Sequence, residues 1–286
     1  MKEVVVLSGK GGTGKTSLVA SLAVLAWNKI MVDCDVDAAN LHLLMDINVC
    51  QEEPFYGLEK AYIDTECCTK CGICQDMCAF NAIKDFTVDS FACEGCRICS
   101  ITCPSGAIQF KEHLSGHIKI AHTKQGELVY GDLLAGEENS GKLVARVKKI
   151  AREKAIENGY DLILIDGPPG IGCPVISCLP GVDLALVVAE PTLAGMHDLE
   201  RLLQLANHFN VRVMVCINKW DISKDNTSAI EELCRRRKIE VIGRIPYDSS
   251  VFCSLREGRP YIMRAQSPAT GATLILWERL SREIYS

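Results

Sequence analysis

The stretch "SGKGGTGKTS" at residues 8–17 constrains this chain more than any other. Within it, Gly9, Gly14, Lys15 and Thr16 satisfy G-x-x-x-x-G-K-[ST]. Glycines let backbone N–H groups turn inward toward phosphate oxygens, a lysine neutralises the β/γ charge, and a hydroxyl holds Mg²⁺. The pattern demands a strand before it and a helix after it. The sequence supplies both, as the apolar run "EVVVLS" at 3–8 and "KTSLVASLAVLAW" from Lys15. The helix N-terminus adds its own preference for anions.

The rest of the chain repeats that rhythm. "KIMVDCDVD" predicts a second strand, and "YDLILIDG", "VDLALVVAEP", "VRVMVCIN" and "IEVIGRIP" predict four more. Helix-like segments near 142–157, 197–208 and 227–237 lie between them, and "ATLILWERLSREI" closes the chain. Alternation of this kind predicts an α/β fold with a mostly parallel sheet covered on both faces. The charge of −5 and the absence of a basic tract give no sign of a nucleic-acid partner. No apolar run is long enough to span a bilayer, and the last segment lacks the basic face of a membrane-surface helix. The N-terminus carries no cleavable signal pattern, so the expectation is a cytoplasmic protein.

Sixteen cysteines among 286 residues point to metal or redox chemistry in such a compartment. Eight have regular spacing. Cys68, Cys71, Cys74 and Cys78 follow C-x2-C-x2-C-x3-C, and Cys93, Cys96, Cys99 and Cys103 repeat it twenty-five residues later. This is the run of bacterial two-cluster ferredoxins, in which the fourth cysteine of each set serves the other cluster. The spacing predicts one [4Fe–4S] site from Cys68, Cys71, Cys74 and Cys103, and a second from Cys93, Cys96, Cys99 and Cys78. Cys67 is left over. The expected organisation is therefore a nucleotide domain at 1–61 and 113–286 interrupted by a ferredoxin-like insert at 62–112.

Lys10 makes the loop "KGGTGKT", which resembles the deviant Walker A motif of the MinD/ParA/nitrogenase-iron-protein superfamily, SIMIBI-class P-loop NTPases. The resemblance covers most of the chain outside the insert. It implies an ATPase, slow without a partner, that closes as a homodimer or as a heterodimer with a related ATPase. Lys10 would reach the partner's phosphates in trans, comparable in role to an arginine finger. Gly9, Lys10, Gly11, Gly12, Thr13, Gly14, Lys15, Thr16 and Ser17 would cradle the nucleotide. "DCDVDAAN" at 33–40 resembles the first switch, with Asp35 orienting water and Asp33 in the magnesium shell. "LILIDGPPGIGCP" resembles the second, with Asp166 binding Mg²⁺ beside Thr16. "INKWD" resembles a base-recognition motif read by Asn218, and Asp221 leaves GTP open beside ATP. Cys173 has the spacing of a dimer-bridging cluster ligand, with Cys178 as its conceivable companion.

With "GEENSGKLV" at 136–144, the whole resembles MinD-superfamily ATPases carrying a ferredoxin insert. The function this implies is ATP-driven dimer switching coupled to electron transfer through two clusters, with a redox or metallocofactor protein as partner. The alternatives are an ATP-dependent cluster carrier or assembly protein, and a MinD/ParA-like positioning ATPase with structural clusters.

Overall fold

In the computed structural model the described residues are 1–137, 139–264 and 266–285; Glu138, part of the 136–144 stretch, lies outside them. In chain order the elements are β1 (Lys2–Ser8), α1 (Lys15–Leu25), β2 (Lys29–Asp33), β3 (Asn48–Tyr56), β4 (Lys60–Ile63), α2 (Ile73–Asp76), β5 (Ile83–Lys84), β6 (Thr87–Val88), α3 (Ile98–Thr102), β7 (Ile108–Lys111), β8 (Leu114–Thr123) and β9 (Gly126–Leu133). They continue as α4 (Ser140–Asn158), β10 (Leu162–Pro169), α5 (Cys173–Cys178), β11 (Leu184–Ala189), α6 (Leu193–His208), β12 (Arg212–Asn218), α7 (Lys224–Arg236), β13 (Glu240–Ile245), α8 (Ser249–Arg256) and α9 (Pro268–Ile284).

The chain divides into two compact units, one of 1–52, 118–132 and 140–286, the other of 53–117 and 133–139. The first carries a sheet of order β13-β12-β11-β1-β10-β2-β9-β8-β3. From β13 to β9 every neighbouring pair is parallel. The central strands are apolar at consecutive positions because both faces are covered. Val4, Val6, Leu162, Leu164 and Leu186 pack with Leu18 and Leu22 of α1 and Leu276 and Leu280 of α9. The alternate residues Val5, Leu7, Ile163, Ile165 and Val187 are equally buried. The parallel order puts the carboxyl ends of β1, β2, β10, β11 and β12 along one edge, where such sheets bind ligands.

The second unit is wider than the 62–112 span read from the cysteine repeat. The strands flanking the repeat pair antiparallel, Lys60–Ile63 against Ile108–Lys111, and fasten its two ends together. A small core of Ala61, Ile63, Ala82, Ile83 and Ile108 surrounds Cys74, Cys93 and Cys99. The internal repeat is visible in the backbone. Lys70, Gly72 and Asn81 have left-handed φ of 56°, 83° and 52°, and their counterparts Gly95, Arg97 and Gly106 have 62°, 66° and 66°. Each half thus makes the same curl. Gly95 has a second reason to lack a side chain: a Cβ there would stand 2.6 Å from the Glu59 carbonyl oxygen.

Candidate nucleotide site and cysteine cavities

Lys15 opens α1 and is 5% exposed; its Nζ lies 2.5 Å from Asp166 Oδ1. Asp166 sits in β10, which pairs with β1, the strand that leads into the glycine loop. Burial alone would lower the Lys15 pKa, but the Asp166 carboxylate outweighs it, and Asp33 and Asp35 add to the rise. Asp166 Oδ2 is buried with no partner. A carboxylate oxygen left bare in a buried site suits a cation, and Thr16 Oγ1 is 3.4 Å from Lys15 Nζ beside it. The residues therefore fit Mg²⁺.

Asp33 also has a structural task. β2 ends at this residue, so Asp35 lies in the loop beyond the strand. Asp33 Oδ1 accepts from the Asp35 amide at 3.0 Å, and Oδ2 accepts from the amides of Asn40 and Leu41 at 3.0 and 2.9 Å. It organises the whole loop. Burial and the neighbouring Asp166 push its carboxyl up to about 7, against the pull of Lys15 and those amides. Burial pushes Asp35 up to about 6, opposed by Lys15 and assisted by Asp166.

Gly14 N-caps α1 with φ 87°, and a Cβ on it would meet Asn218 Nδ2 at 2.5 Å. That amide instead donates to the Thr13 carbonyl at 2.7 Å, and Asn218 Oδ1 accepts from the Lys219 N–H. Gly12, Gly14, Ser17, Asn218, Tyr247, Asp248 and Phe252 line a cavity of about 290 Å³ beside the loop. Asp221 Oδ1 accepts the Tyr247 N–H at 2.7 Å. Asp248 caps α8 through the Ser250 amide and also accepts from the Ala269 amide, which ties α8 to α9.

Lys10 lies on Glu190, 2.8 Å from Oε2, while Lys219 Nζ lies 2.8 Å from Oε1. Glu190 was absent from the residues picked out of the sequence. A signal it shares with Asp33 and Asp166 could have found it: an acid at the carboxyl end of an apolar core strand, here "LALVVAE".

Cys173 and Cys178 begin and end α5 and face apart, Cys173 exposed and Cys178 buried. Five residues turn a helix well away from its starting face. Cys178 lies against Cys34, whose thiol is pushed up by burial. The pair joins the segment after β2 to the segment after β10.

In the second unit, Cys68, Cys71, Cys74 and Cys103 line one small cavity, and Cys78, Cys93, Cys96 and Cys99 line another. Cys78 Sγ accepts the Ala82 N–H at 3.3 Å. Cys67 is exposed and lines neither. Among the described residues no three Cys, His, Asp or Glu side chains converge on a point that a single metal ion could occupy.

Residues 4–261 match the CbiA family, the CobQ/CobB/MinD/ParA nucleotide binding domain. The chain belongs to this family. It is a P-loop ATPase, with the phosphate loop, the buried lysine and the carboxylates on one sheet edge. An uncharacterized Methanocaldococcus jannaschii protein, MJ0578, is 39% identical over 228 residues, covering 78% of this chain and 80% of its own. The putative septum site-determining protein MinD of Chlorella vulgaris is 25% identical over 290 residues, covering 98% and 83%. The solved septum site-determining protein MinD of Pyrococcus horikoshii, complexed with Mg-ADP, shares the fold at a TM-score of 0.58 and 17% identity, covering 99% and 96%.

These likenesses correct the expectation of an ATP-gated electron-transfer protein, and with it the carrier or assembly alternative. Along nearly its whole length the chain matches septum-site proteins of the MinD type, and no convergent metal group is present among the described residues. Among those residues, no helix is long and apolar enough to cross a membrane.

Proposed function

We propose that this chain is a nucleotide-switched positioning ATPase of the MinD/ParA kind, working as an ATP-closed dimer. The observation that carries the reading is the buried Lys15–Asp166 pair with its bare Asp166 Oδ2. Lys15 would pair with the incoming phosphates; Asp166 and Thr16 would hold Mg²⁺, which when bound would supply neutralising charge for the phosphates. Gly9 to Ser17 cradle the phosphates through backbone N–H groups. Asn218 fixes the loop against the base cavity. Asp35 orients the attacking water, and Asp33 holds the loop that carries it and contributes to the magnesium shell. Lys10 acts on the nucleotide of the facing subunit.

The second unit is read as a module stapled by two [4Fe–4S] clusters in a structural role, one on Cys68, Cys71, Cys74 and Cys103, the other on Cys93, Cys96, Cys99 and Cys78. The support is the division of these eight cysteines between two cavities, four in each, within a core too small to stand easily alone.

Two measurements test this. ATP hydrolysis and ATP-dependent dimerisation, followed by light scattering, should both vanish in Lys15→Ala and fall steeply in Lys10→Ala; retention in both variants would sink the switch. Anaerobic iron and sulfide counting should give about eight of each per chain, and a metal-free protein with a fully folded second unit would sink the staples.

A further inference from the structure

The Lys10 ammonium has a partner on its own chain. Glu190, 13% exposed at the side chain, offers one carboxylate oxygen to Lys10 and the other to Lys219, each at 2.8 Å. Burial raises the Glu190 pKa, but the two ammonium groups outweigh it and hold the carboxyl below its usual range. Lys219 is itself fixed. It takes a left-handed φ of 53°, follows Asn218, which bonds to the phosphate loop, and points its Nζ 3.3 Å from the Gly12 carbonyl. Glu190 is also fixed from behind. Its carbonyl oxygen would lie 2.2 Å from a Cβ on Gly195, so the first turn of α6 packs directly on it. A cation so placed cannot at the same time extend away from its own subunit.

We propose that Glu190 is a positioning residue that retains Lys10 on its own subunit until nucleotide-dependent closure, with Lys219 as the second cation that keeps the carboxylate ionised and aimed. Glu190 thereby sets how readily Lys10 becomes available to a second copy of this chain. The inference rests on the reading of Lys10 as acting in trans.

Lysine acylation footprinting with an amine-reactive ester, read by mass spectrometry on the nucleotide-free protein, tests the restraint directly. In Glu190→Gln the rate at Lys10 should rise about fivefold, the loss of roughly 1 kcal/mol of pairing. The rate at exposed Lys2 should stay fixed, and Glu190→Asp should restore part of the protection. An unchanged Lys10 rate in a cooperatively folding Glu190→Gln protein overturns the proposal. If that variant fails to fold, the wild-type protein decides: Lys10 labelled as fast as Lys2 overturns it, and at least threefold slower supports it. In the same preparations Glu190→Gln should dimerise at several-fold lower ATP. Should Lys10→Ala dimerise and hydrolyse like wild type, the in-trans reading fails while the footprint still reports on the restraint.

Discussion

Lys15 Nζ stands 2.5 Å from Asp166 Oδ1, with both side chains almost wholly buried, so the phosphate-loop lysine and this carboxylate neutralise each other. Two charges removed from water are tolerated only as a pair. Asp166→Ala should therefore cost about 3–5 kcal/mol by leaving Lys15 buried and unpaired. The double variant Lys15→Met/Asp166→Leu should recover most of that loss. Chemical denaturation of the single and double variants measures the coupling; additive losses would show that the pair contributes nothing.

Asp33 and Asp35 make this site pH-sensitive. Their folded pKa values are raised to about 7 and about 6, chiefly by burial, above the ordinary carboxylate value of 3.8. The folded chain binds these protons more tightly than the unfolded chain, so their stabilisation is complete below about pH 4 and is lost as pH climbs to about 7. The difference in Tm between wild type and Asp33→Asn should therefore change across pH 4–7 and level off above it. Mg²⁺ with nucleotide should reverse part of the loss while releasing protons, measurable by calorimetry in two buffers. No proton release at pH 6.5 would refute the assignment.

Much of this was legible beforehand because the signals were local. Strand β1, the glycine loop and α1 follow from one motif, and apolar runs located β2, β10, β11, β12 and β13. What escaped was tertiary. No periodicity announces that Asp248 caps the helix at 249–256 and reaches the Ala269 amide. The resemblance sets Asp33 and Asp35 together in the first switch without showing where β2 stops. The strand ends at Asp33, whose oxygens bind the amides of a loop whose course no periodicity encodes. Glu190 escaped because its partners are 180 residues upstream and 29 downstream. The electron-transfer reading failed for another reason: cysteine spacing identifies candidate ligands and carries no information about what a bound cluster is for.

The repeated curls of the second unit give a stability prediction. Lys70 adopts a φ of 56° that its counterpart Gly95 takes without a side chain. Left-handed backbone costs an ordinary residue about 1–2 kcal/mol, against about 0.5–1 kcal/mol of extra chain entropy lost by glycine. Lys70→Gly should thus stabilise the unit by about 0.5–1 kcal/mol. Gly72→Ala, at φ 83°, should destabilise it by about 0.5–1 kcal/mol, although a Cβ there meets open space. Urea midpoints followed by a probe in the second unit would check both, and equal effects of the two substitutions would contradict the strain argument.

Asn218 joins β12 to the phosphate loop through a 2.7 Å bond to the Thr13 carbonyl, so its loss should be felt by nucleotide before it is felt by the fold. Asn218→Ala should weaken nucleotide binding about tenfold, the worth of one well-placed hydrogen bond. Asn218→Asp should be worse, because it sets a carboxylate against a carbonyl oxygen. Asp221, the acid that could select guanine, accepts the Tyr247 N–H and serves the backbone of the cavity wall. Asp221→Ala should accordingly weaken ATP and GTP binding by the same factor, leaving their ratio unchanged. Competition titrations with the two nucleotides measure that ratio; a selective loss of GTP would make Asp221 a base reader and return guanine to the cavity.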